Sequence, residues 1–305
     1  MAEQFQVPVR GLTLAGHCWQ AREAERNLCV ITGMDEYSLR YERFAEWLTG
    51  RGVNVWVLDA PGQGLNAVSV ERQQEWPDDA FAISAEAVRE MILLAGRNGL
   101  PTFQMGHSMG SFITQSLLER FPALADGIIL CGSNGGQGML MKLAFRLASA
   151  RTNEKNRNAP DPLMTALSFG PYIRSVRDRK TDFDWLSRDE ENVRRYMADP
   201  WCGHPNTRGF WREFLRGMAV LWDEKEMKRI SPDENILIIA GTEDPVGQCG
   251  KGPEWLAAAY RKLGVRNTKL ILYDGMRHEI LNEQERETVF EDILAFMKQC
   301  GRKES

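Results

Sequence analysis

The chain has 305 residues, of which 43% are hydrophobic and 26% are charged, and its formal net charge is −4. A mixed, slightly negative charge pattern lacks the basic face expected of a nucleic-acid-binding protein. No apolar run approaches the roughly 20 residues needed to cross a bilayer, so composition predicts a soluble protein with one large core.

The first part of the chain predicts a hairpin followed by alternating strands and helices. Apolar residues alternate on both sides of a turn at Arg10 and Gly11, within residues 4–19. The elements predicted next are strands over 28–31, 53–58, 101–106 and 127–131 and helices over 40–51, 79–97 and 111–121. Such alternation is typical of an α/β fold with a mostly parallel sheet and helices on both faces.

The alternation stops after residue 131. From residue 132 to about residue 205 no strand pattern appears, and only residues 138–150 predict an amphipathic helix. The pattern returns with helices over 208–221, 253–263 and 283–298 and strands over 236–240 and 269–273. A connection of this length is too long for an ordinary loop.

We therefore expect a core of residues 1–134 and 206–305, and a helical cap over residues 135–205, called the cap segment below. Parallel sheets bind ligands at the carboxyl ends of their strands, and a cap is expected above that edge. The alternative is an insertion that lies far from the site.

The sequence Gly106-His107-Ser108-Met109-Gly110 stands between a predicted strand and a predicted helix. A G-x-S-x-G motif in this context is typical of a nucleophile elbow, which lifts a serine hydroxyl clear of the sheet. The sharp turn leaves no room for side chains two residues away on either side, so both positions favour glycine. Ser108 is the predicted nucleophile.

A serine hydroxyl needs a base, and the chain has four histidines. His278 follows the late strand over 269–273, where it can reach the elbow, and it is preferred over the other three. Asp244, after the strand over 236–240, is the predicted carboxylate, in the order Ser–Asp–His expected of this architecture. Glu243 is the second choice, and Asp274 lies too close to His278 along the chain.

Acyl transfer also requires hydrogen-bond donors for the developing oxyanion. The backbone N–H of Met109, directly after the nucleophile, is one predicted donor. The second is the N–H of Met34, in the loop after the strand over 28–31, where Gly33 lets the backbone approach the substrate.

These residues resemble the α/β-hydrolases of the monoacylglycerol lipase and lysophospholipase group, and the resemblance covers nearly the whole chain. It includes the elbow, the acid loop over 241–246, the stretch over 274–278 and the loop over 32–41, which is similar to His-Gly-x-x-Glu-His-Ser-x-Arg-Tyr. The cap stretch over 182–201 is similar to bacterial members called lysophospholipases. The resemblance implies hydrolysis of a single acyl ester of a glycerol-type alcohol, without a cofactor or a metal.

The chain departs from the family's pattern at two positions of this loop, where Thr32 and Tyr37 replace histidines. The family's Arg-Gly-His-Gly turn is also altered, to Pro-Gly-Gln-Gly over residues 61–64. Residues assigned to the substrate pocket are Gly33, Glu36, Tyr37 and His107. Apolar residues of the cap segment, from Met139 to Leu147 together with Phe169, Tyr172 and Trp185, predict an acyl pocket.

Other functions remain open. Ser108 excludes dehalogenases and epoxide hydrolases, which need a carboxylate at the elbow. A small-molecule esterase, an amidase or peptidase, and a ligand-binding protein without activity are the alternatives.

The cysteines lack metal-binding spacing, which predicts reduced, buried thiols, and the N-terminus shows no secretion signal. We therefore expect a cytoplasmic protein. Its partner is expected to be a small acyl ester, with no nucleic acid and with transient contact between the cap segment and a lipid surface.

Overall fold

A single mixed β-sheet lies at the centre of the protein, in a computed structural model that describes residues 2–300. Residue 1 and residues 301–305, which the expected core includes, lie outside the described residues. The strands are β1 (Glu3–Val9), β2 (Leu12–Trp19), β3 (Arg26–Ile31), β4 (Val53–Leu58), β5 (Thr102–His107), β6 (Gly127–Cys131), β7 (Asn235–Gly241) and β8 (Asn267–Tyr273).

The strand order across the sheet is β1-β2-β4-β3-β5-β6-β7-β8. β2 runs antiparallel to both of its neighbours, and the pairs from β4 to β8 are all parallel. Arg10 and Gly11 both have positive φ, which produces the tight hairpin turn predicted between β1 and β2. The expected mostly parallel sheet is confirmed.

Helices cover both faces of this sheet. They are α1 (Glu42–Thr49), α2 (Ala80–Ala95), α3 (Met109–Arg120), α4 (Gly138–Arg151), α5 (Pro162–Ser175), α6 (Glu190–Ala198), α7 (Arg208–Met218), α8 (Glu224–Met227), α9 (Lys251–Lys262) and α10 (Arg286–Gln299). One apolar cluster joins the sheet to α2, α3, α7 and α9, and a second joins the opposite face to α1 and α10. Strands buried on both faces favour continuous apolar sequences, and β6, with the sequence Gly-Ile-Ile-Leu-Cys, is buried along its whole length.

The cysteines only partly match the expectation of buried thiols. Cys18, Cys29 and Cys131 are buried within strands, and all six cysteines are free thiols. Cys249, however, is exposed in the loop before α9, and Cys202 and Cys300 are only partly buried.

The cap segment contains three helices, of which the sequence predicted only α4. Gly170 and Pro171 interrupt the apolar pattern of α5, which is why no helix was predicted there. Its first turn is nevertheless well defined, since the Asp161 side chain accepts a hydrogen bond from the Met164 N–H. α6 is a short helix whose N-cap, Asp189, accepts from the next backbone N–H groups in the same way.

In the part of the chain that the structure describes, there is no helix with the length and apolar character that a membrane span requires.

Candidate active site

Ser108 occupies the turn between β5 and α3. Its backbone has φ 51° and ψ −119°, a left-handed conformation that is strained for a residue with a side chain. A Cβ atom at Gly106 would lie 2.1 Å from the Gly110 carbonyl oxygen, and one at Gly110 would lie 2.2 Å from the Ile31 carbonyl oxygen. Both glycines are therefore required by the packing of the turn, as the motif predicted.

His278 and Asp244 form a buried pair on the loops after β8 and β7. The distance from His278 Nδ1 to Asp244 Oδ1 is 3.0 Å, and the side chains are 2% and 0% exposed. The Val246 N–H donates to the same carboxylate oxygen at 2.9 Å. Glu243, the alternative acid, is instead exposed and lies 3.9 Å from Arg277.

The imidazole of His278 is held between a backbone surface and an indole ring. A Cβ atom at Gly132 would lie 3.2 Å from His278 Cε1, so the ring packs closely over this glycine. The Trp185 ring, from the cap segment, lies with its centroid 5.3 Å from that of His278. Ser108 and His278 line the same cavity. The structure thus brings the predicted nucleophile, base and acid to one edge of the sheet.

In the loop after β3, the Met34 N–H has no hydrogen-bond partner among the described residues, whereas both neighbouring N–H groups have one. The Gly33 N–H donates to Glu36 Oε1 at 2.5 Å, and the Asp35 N–H donates to Gln63 Oε1 at 2.9 Å. Met109 is the first residue of α3, where backbone N–H groups have no partner within the helix. Both predicted oxyanion donors therefore belong to residues that line the cavity beside Ser108.

Thr32 and Tyr37, which replace two histidines of the family's loop, each form a hydrogen bond. The Thr32 hydroxyl accepts a hydrogen bond from the Ala60 N–H at 3.3 Å, and the Tyr37 hydroxyl donates to Asp199 at 2.9 Å. Within the described residues, neither Gly33 nor Tyr37 is among those that line the cavity. Tyr37 connects the loop to the cap segment, and Gly33 sets the loop's backbone.

The sequence assigned no role to Gln63, but its side chain holds the loop that contains Met34. Its Nε2 group donates to the carbonyls of Gly33 and Glu36, at 2.9 and 3.3 Å, while its Oε1 accepts from Asp35. A single buried side chain thus fixes three backbone groups on both sides of Met34. Only the tertiary structure shows this, because the turn and the loop are separate in sequence.

Glu36 and His107 form a second buried pair, 3.0 Å from Oε1 to Nδ1. Burial on its own would raise the pKa of Glu36, but His107, Arg40 and the Tyr41 hydroxyl outweigh it and lower that pKa to about 2. Burial lowers the pKa of His107, but the Glu36 carboxylate outweighs it and the net shift is upward. The other ring nitrogen of His107 lies 3.4 Å from the His278 carbonyl oxygen. The Glu36 carboxylate and the His278 carbonyl are both acceptors, so a protonated His107 imidazole can donate a hydrogen bond to each of them.

The cavity has a volume of about 1190 Å³ and runs between the strand ends and the cap segment. Most of its wall is apolar, and the cap segment contributes the residues expected of an acyl pocket: Leu140, Leu143, Leu147, Phe169, Tyr172 and Trp185. Met139 is 76% exposed and does not line it within the described residues. A smaller polar part of the wall contains Asp35, Glu36 and Asn206.

A family model described as Serine aminopeptidase, S33, matches residues 22–285. The chain belongs to this family. With the sheet described above, the match confirms an α/β-hydrolase fold of the type found in monoacylglycerol lipases.

Similar proteins are named as a lipase, a phospholipase and an esterase. A monoacylglycerol lipase of Mycolicibacterium smegmatis is 23% identical over 303 residues, covering 97% of this chain and 96% of the relative. Phospholipase YtpA of Bacillus subtilis is 25% identical over 286 residues, covering 92% and 98%. The crystal structure of a carboxyl esterase from Bacillus coagulans in complex with glycerol is similar in fold, with a TM-score of 0.86, 23% identity and 98% of each chain covered. The chain is thus an α/β-hydrolase related to carboxylic ester hydrolases.

Proposed function

We propose that the protein is a serine hydrolase that cleaves the carboxylic ester of a single acyl chain, on a monoacylglycerol or lysophospholipid type of substrate. The observation that carries this proposal is the buried His278–Asp244 pair, 3.0 Å apart, whose histidine lines the same apolar cavity as the left-handed Ser108. Relatives named as lipases and a phospholipase support the reaction class.

In the proposed mechanism Ser108 Oγ attacks the ester carbonyl carbon while His278 Nε2 accepts the hydroxyl proton. Asp244 orients the imidazole and stabilises its cationic form. The tetrahedral intermediate collapses, the alcohol leaves with the proton from His278, and an acyl-enzyme remains on Ser108. A water molecule, deprotonated by His278, then releases the fatty acid and restores the serine hydroxyl.

The N–H groups of Met34 and Met109 are the proposed donors to the oxyanion in both tetrahedral intermediates. A donor of this kind contributes about 10²–10³ to the rate. Glu36, Gln63 and His107 are proposed to act through the loop, since they contact the backbone and side chains that hold Met34 in position.

Residues 135–205 are proposed to act as a cap over a core formed by residues 1–134 and 206–305. Their apolar side chains line the cavity beside Ser108, where they bind the acyl chain and exclude water from the acyl-enzyme. Each additional methylene that the pocket buries contributes about 0.8 kcal/mol to binding.

Amide hydrolysis is the second candidate, because the matching family model is described as a serine aminopeptidase. The same triad serves both reactions. A p-nitroanilide of the same acyl chain, assayed beside the p-nitrophenyl ester, separates the two.

The proposed function predicts that Ser108→Ala and His278→Ala each lose about 10⁴-fold in kcat, because triad residues act as a unit. A fluorophosphonate probe should label the native protein at Ser108 and fail to label the Ser108→Ala variant. The matched control is Ser69→Ala, which removes a hydroxyl that donates to Glu71 on the surface and should leave kcat unchanged.

The substrates for this assay are p-nitrophenyl esters of two, eight and sixteen carbons. We expect kcat/KM to rise with chain length until the pocket is full. Ordinary turnover by either triad variant would contradict the mechanism, and activity restricted to the acetyl ester would make the protein a small-molecule esterase.

A further inference from the structure

Asp35 is a buried carboxyl group that the mechanism above does not use. It directly follows Met34, is 7% exposed and lines the cavity. Its carbonyl accepts hydrogen bonds from the Tyr196 hydroxyl at 3.1 Å and the Gly203 N–H at 3.2 Å. With its N–H bonded to Gln63, the backbone of Asp35 is fixed from three directions in a left-handed conformation, φ 60°.

The side chain of Asp35 is paired with that of Asn206. Asn206 is 1% exposed, also lines the cavity, and donates from Nδ2 to Asp35 Oδ2 at 3.0 Å. The remaining oxygen of each side chain, Oδ1, is buried without a hydrogen-bond partner among the described residues. Buried polar atoms are nearly always hydrogen-bonded, so two unpaired acceptors on residues that line the cavity indicate a ligand that supplies donors.

The environment of the pair favours an uncharged donor over an anion. The groups that hold Asp35 are an amide, a tyrosine hydroxyl and backbone N–H groups, and the neighbouring charged group is the Glu36 carboxylate. Burial and the Glu36 carboxylate raise the pKa of Asp35 to about 7, against the opposing effect of the Asn206 hydrogen bond. A phosphate brought to this position would meet the Asp35 and Glu36 carboxyl groups, because the described cations beside them, Arg40 and His107, already face Glu36. A hydroxyl group instead donates to a carboxylate.

We propose that Asp35 and Asn206 form a subsite for the leaving alcohol and select an alcohol with two free hydroxyl groups over a phosphate-containing head group. This inference rests on the proposed function, which places the ester carbonyl between the Met34 and Met109 N–H groups. The apolar wall binds the acyl chain, so the alcohol lies toward the polar wall. One hydroxyl donates to Asp35 Oδ1 and the second to Asn206 Oδ1.

The test compares three substrates with the same twelve-carbon acyl chain: 1-lauroylglycerol, propyl laurate and lauroyl-lysophosphatidylcholine. The native protein should prefer the glycerol ester to the propyl ester by at least about tenfold in kcat/KM, since leaving a buried acceptor without its hydrogen bond has this size of effect. Asp35→Gly, which keeps the left-handed backbone, and Asn206→Ala should each lower that ratio toward one.

Asp178→Asn is the matched control, because Asp178 is an exposed carboxylate of the cap segment, and it should leave the ratio unchanged. If Asp35→Gly does not fold, Asp35→Asn replaces the open acceptor by an amide and serves the same purpose. The ratio of two esters cancels a general loss of activity, so a merely structural effect of these substitutions would not change it.

Equal kcat/KM for glycerol and propyl esters in the native protein, or a ratio unchanged in the variants, would overturn the subsite while leaving the proposed hydrolase intact. Preference for lysophosphatidylcholine over the glycerol ester would overturn the selection against phosphate. A native protein that cleaves none of the three esters would instead contradict the proposed function.

Discussion

Glu36 Oε1 accepts hydrogen bonds from the Gly33 N–H and the Tyr41 hydroxyl and lies 3.0 Å from His107 Nδ1. Its other oxygen lies 3.9 Å from Arg40 Nε. One carboxylate therefore organises the loop on which the Met34 amide lies, without touching the reacting atoms. We infer that its ionised form is a source of stability as well as of loop geometry.

Glu36→Gln should lower the free energy of unfolding by roughly 2–3 kcal/mol at pH 7, because the pKa of Glu36 is about 2 in the folded protein and about 4.5 when exposed. A lowered pKa stabilises the fold above pH 4.5, and this contribution is lost as the pH falls toward 2. The difference between variant and native protein should therefore shrink at pH 3, as urea unfolding at both pH values would measure.

Glu46→Gln, at an exposed position of α1, is the matched control and should change stability little at either pH. If the difference in unfolding free energy between the Glu36→Gln variant and the native protein is the same at pH 7 and pH 3, the Glu36 charge does not stabilise the loop.

The residues that sequence reasoning found and those it missed differ in how their contacts arise. Ser108, Asp244 and His278 each follow a parallel strand, and the carboxyl ends of such strands meet at one edge, so local pattern and strand order were enough to predict them. Asp35 and Asn206 meet across a sequence separation of 171 residues, between a loop and the first residue after the cap segment. No local pattern marks that contact.

The elbow between β5 and α3 shows how closely one element constrains another. Gly106 faces the Gly110 carbonyl, and Gly110 in turn faces the carbonyls of Ile31 and Thr32 at the end of β3. The turn therefore has contacts with both the helix it starts and the strand beside it. Because these neighbours are backbone atoms, they cannot move aside as a flexible side chain would.

Gly106→Ala should destabilise the protein by roughly 3 kcal/mol or more, since the new Cβ would lie 2.1 Å from the Gly110 carbonyl oxygen. Gly138→Ala is the matched control, because a Cβ atom there, at the first position of α4, meets nothing within 4 Å. Thermal unfolding of both variants measures the contrast. Equal melting temperatures for the two would show that the elbow relaxes at little cost.

Helices were predicted well where they pack on the sheet and poorly in the cap segment. α2 has an apolar face buried against β-strands, and its predicted bounds of 79–97 are close to Ala80–Ala95. The apolar pattern of α5 is interrupted by Gly170 and Pro171, and α6 is a short, strongly polar helix whose buried residues are Val193 and Tyr196, so neither helix was recognised. Their start signals, Asp161 and Asp189, are the features that could have identified them.

Across the whole molecule, the predicted triad and most of the apolar wall of the site come from different parts of the chain. The core supplies Ser108, Asp244 and His278, and the cap segment supplies most of the apolar wall together with Tyr196. The same cap segment exposes large apolar side chains to solvent on α4 and α5: Met139, Leu140, Leu143, Leu163 and Leu167. Exposed apolar groups on one side of a protein, next to an apolar cavity, favour contact with a lipid surface.

Replacing Met139 and Leu163 together by glutamate should therefore weaken binding to phosphatidylcholine vesicles by about tenfold, because two apolar groups expected to contact the lipid become charged. Both residues are exposed, and neither lines the cavity within the described residues. Hydrolysis of soluble p-nitrophenyl butyrate should stay close to the native rate. Vesicle cosedimentation, measured beside this soluble assay, separates surface binding from chemistry.

Val68→Glu is the matched control for that double variant. Val68 is 68% exposed, similar to the 76% of Met139, but it lies in the loop between β4 and α2 rather than on the cap segment. If contact with lipid occurs through the cap segment, Val68→Glu should leave cosedimentation unchanged. Equal loss in the two variants would indicate a general effect of negative charge on vesicle binding, and no loss in either would show that these apolar side chains do not contact lipid.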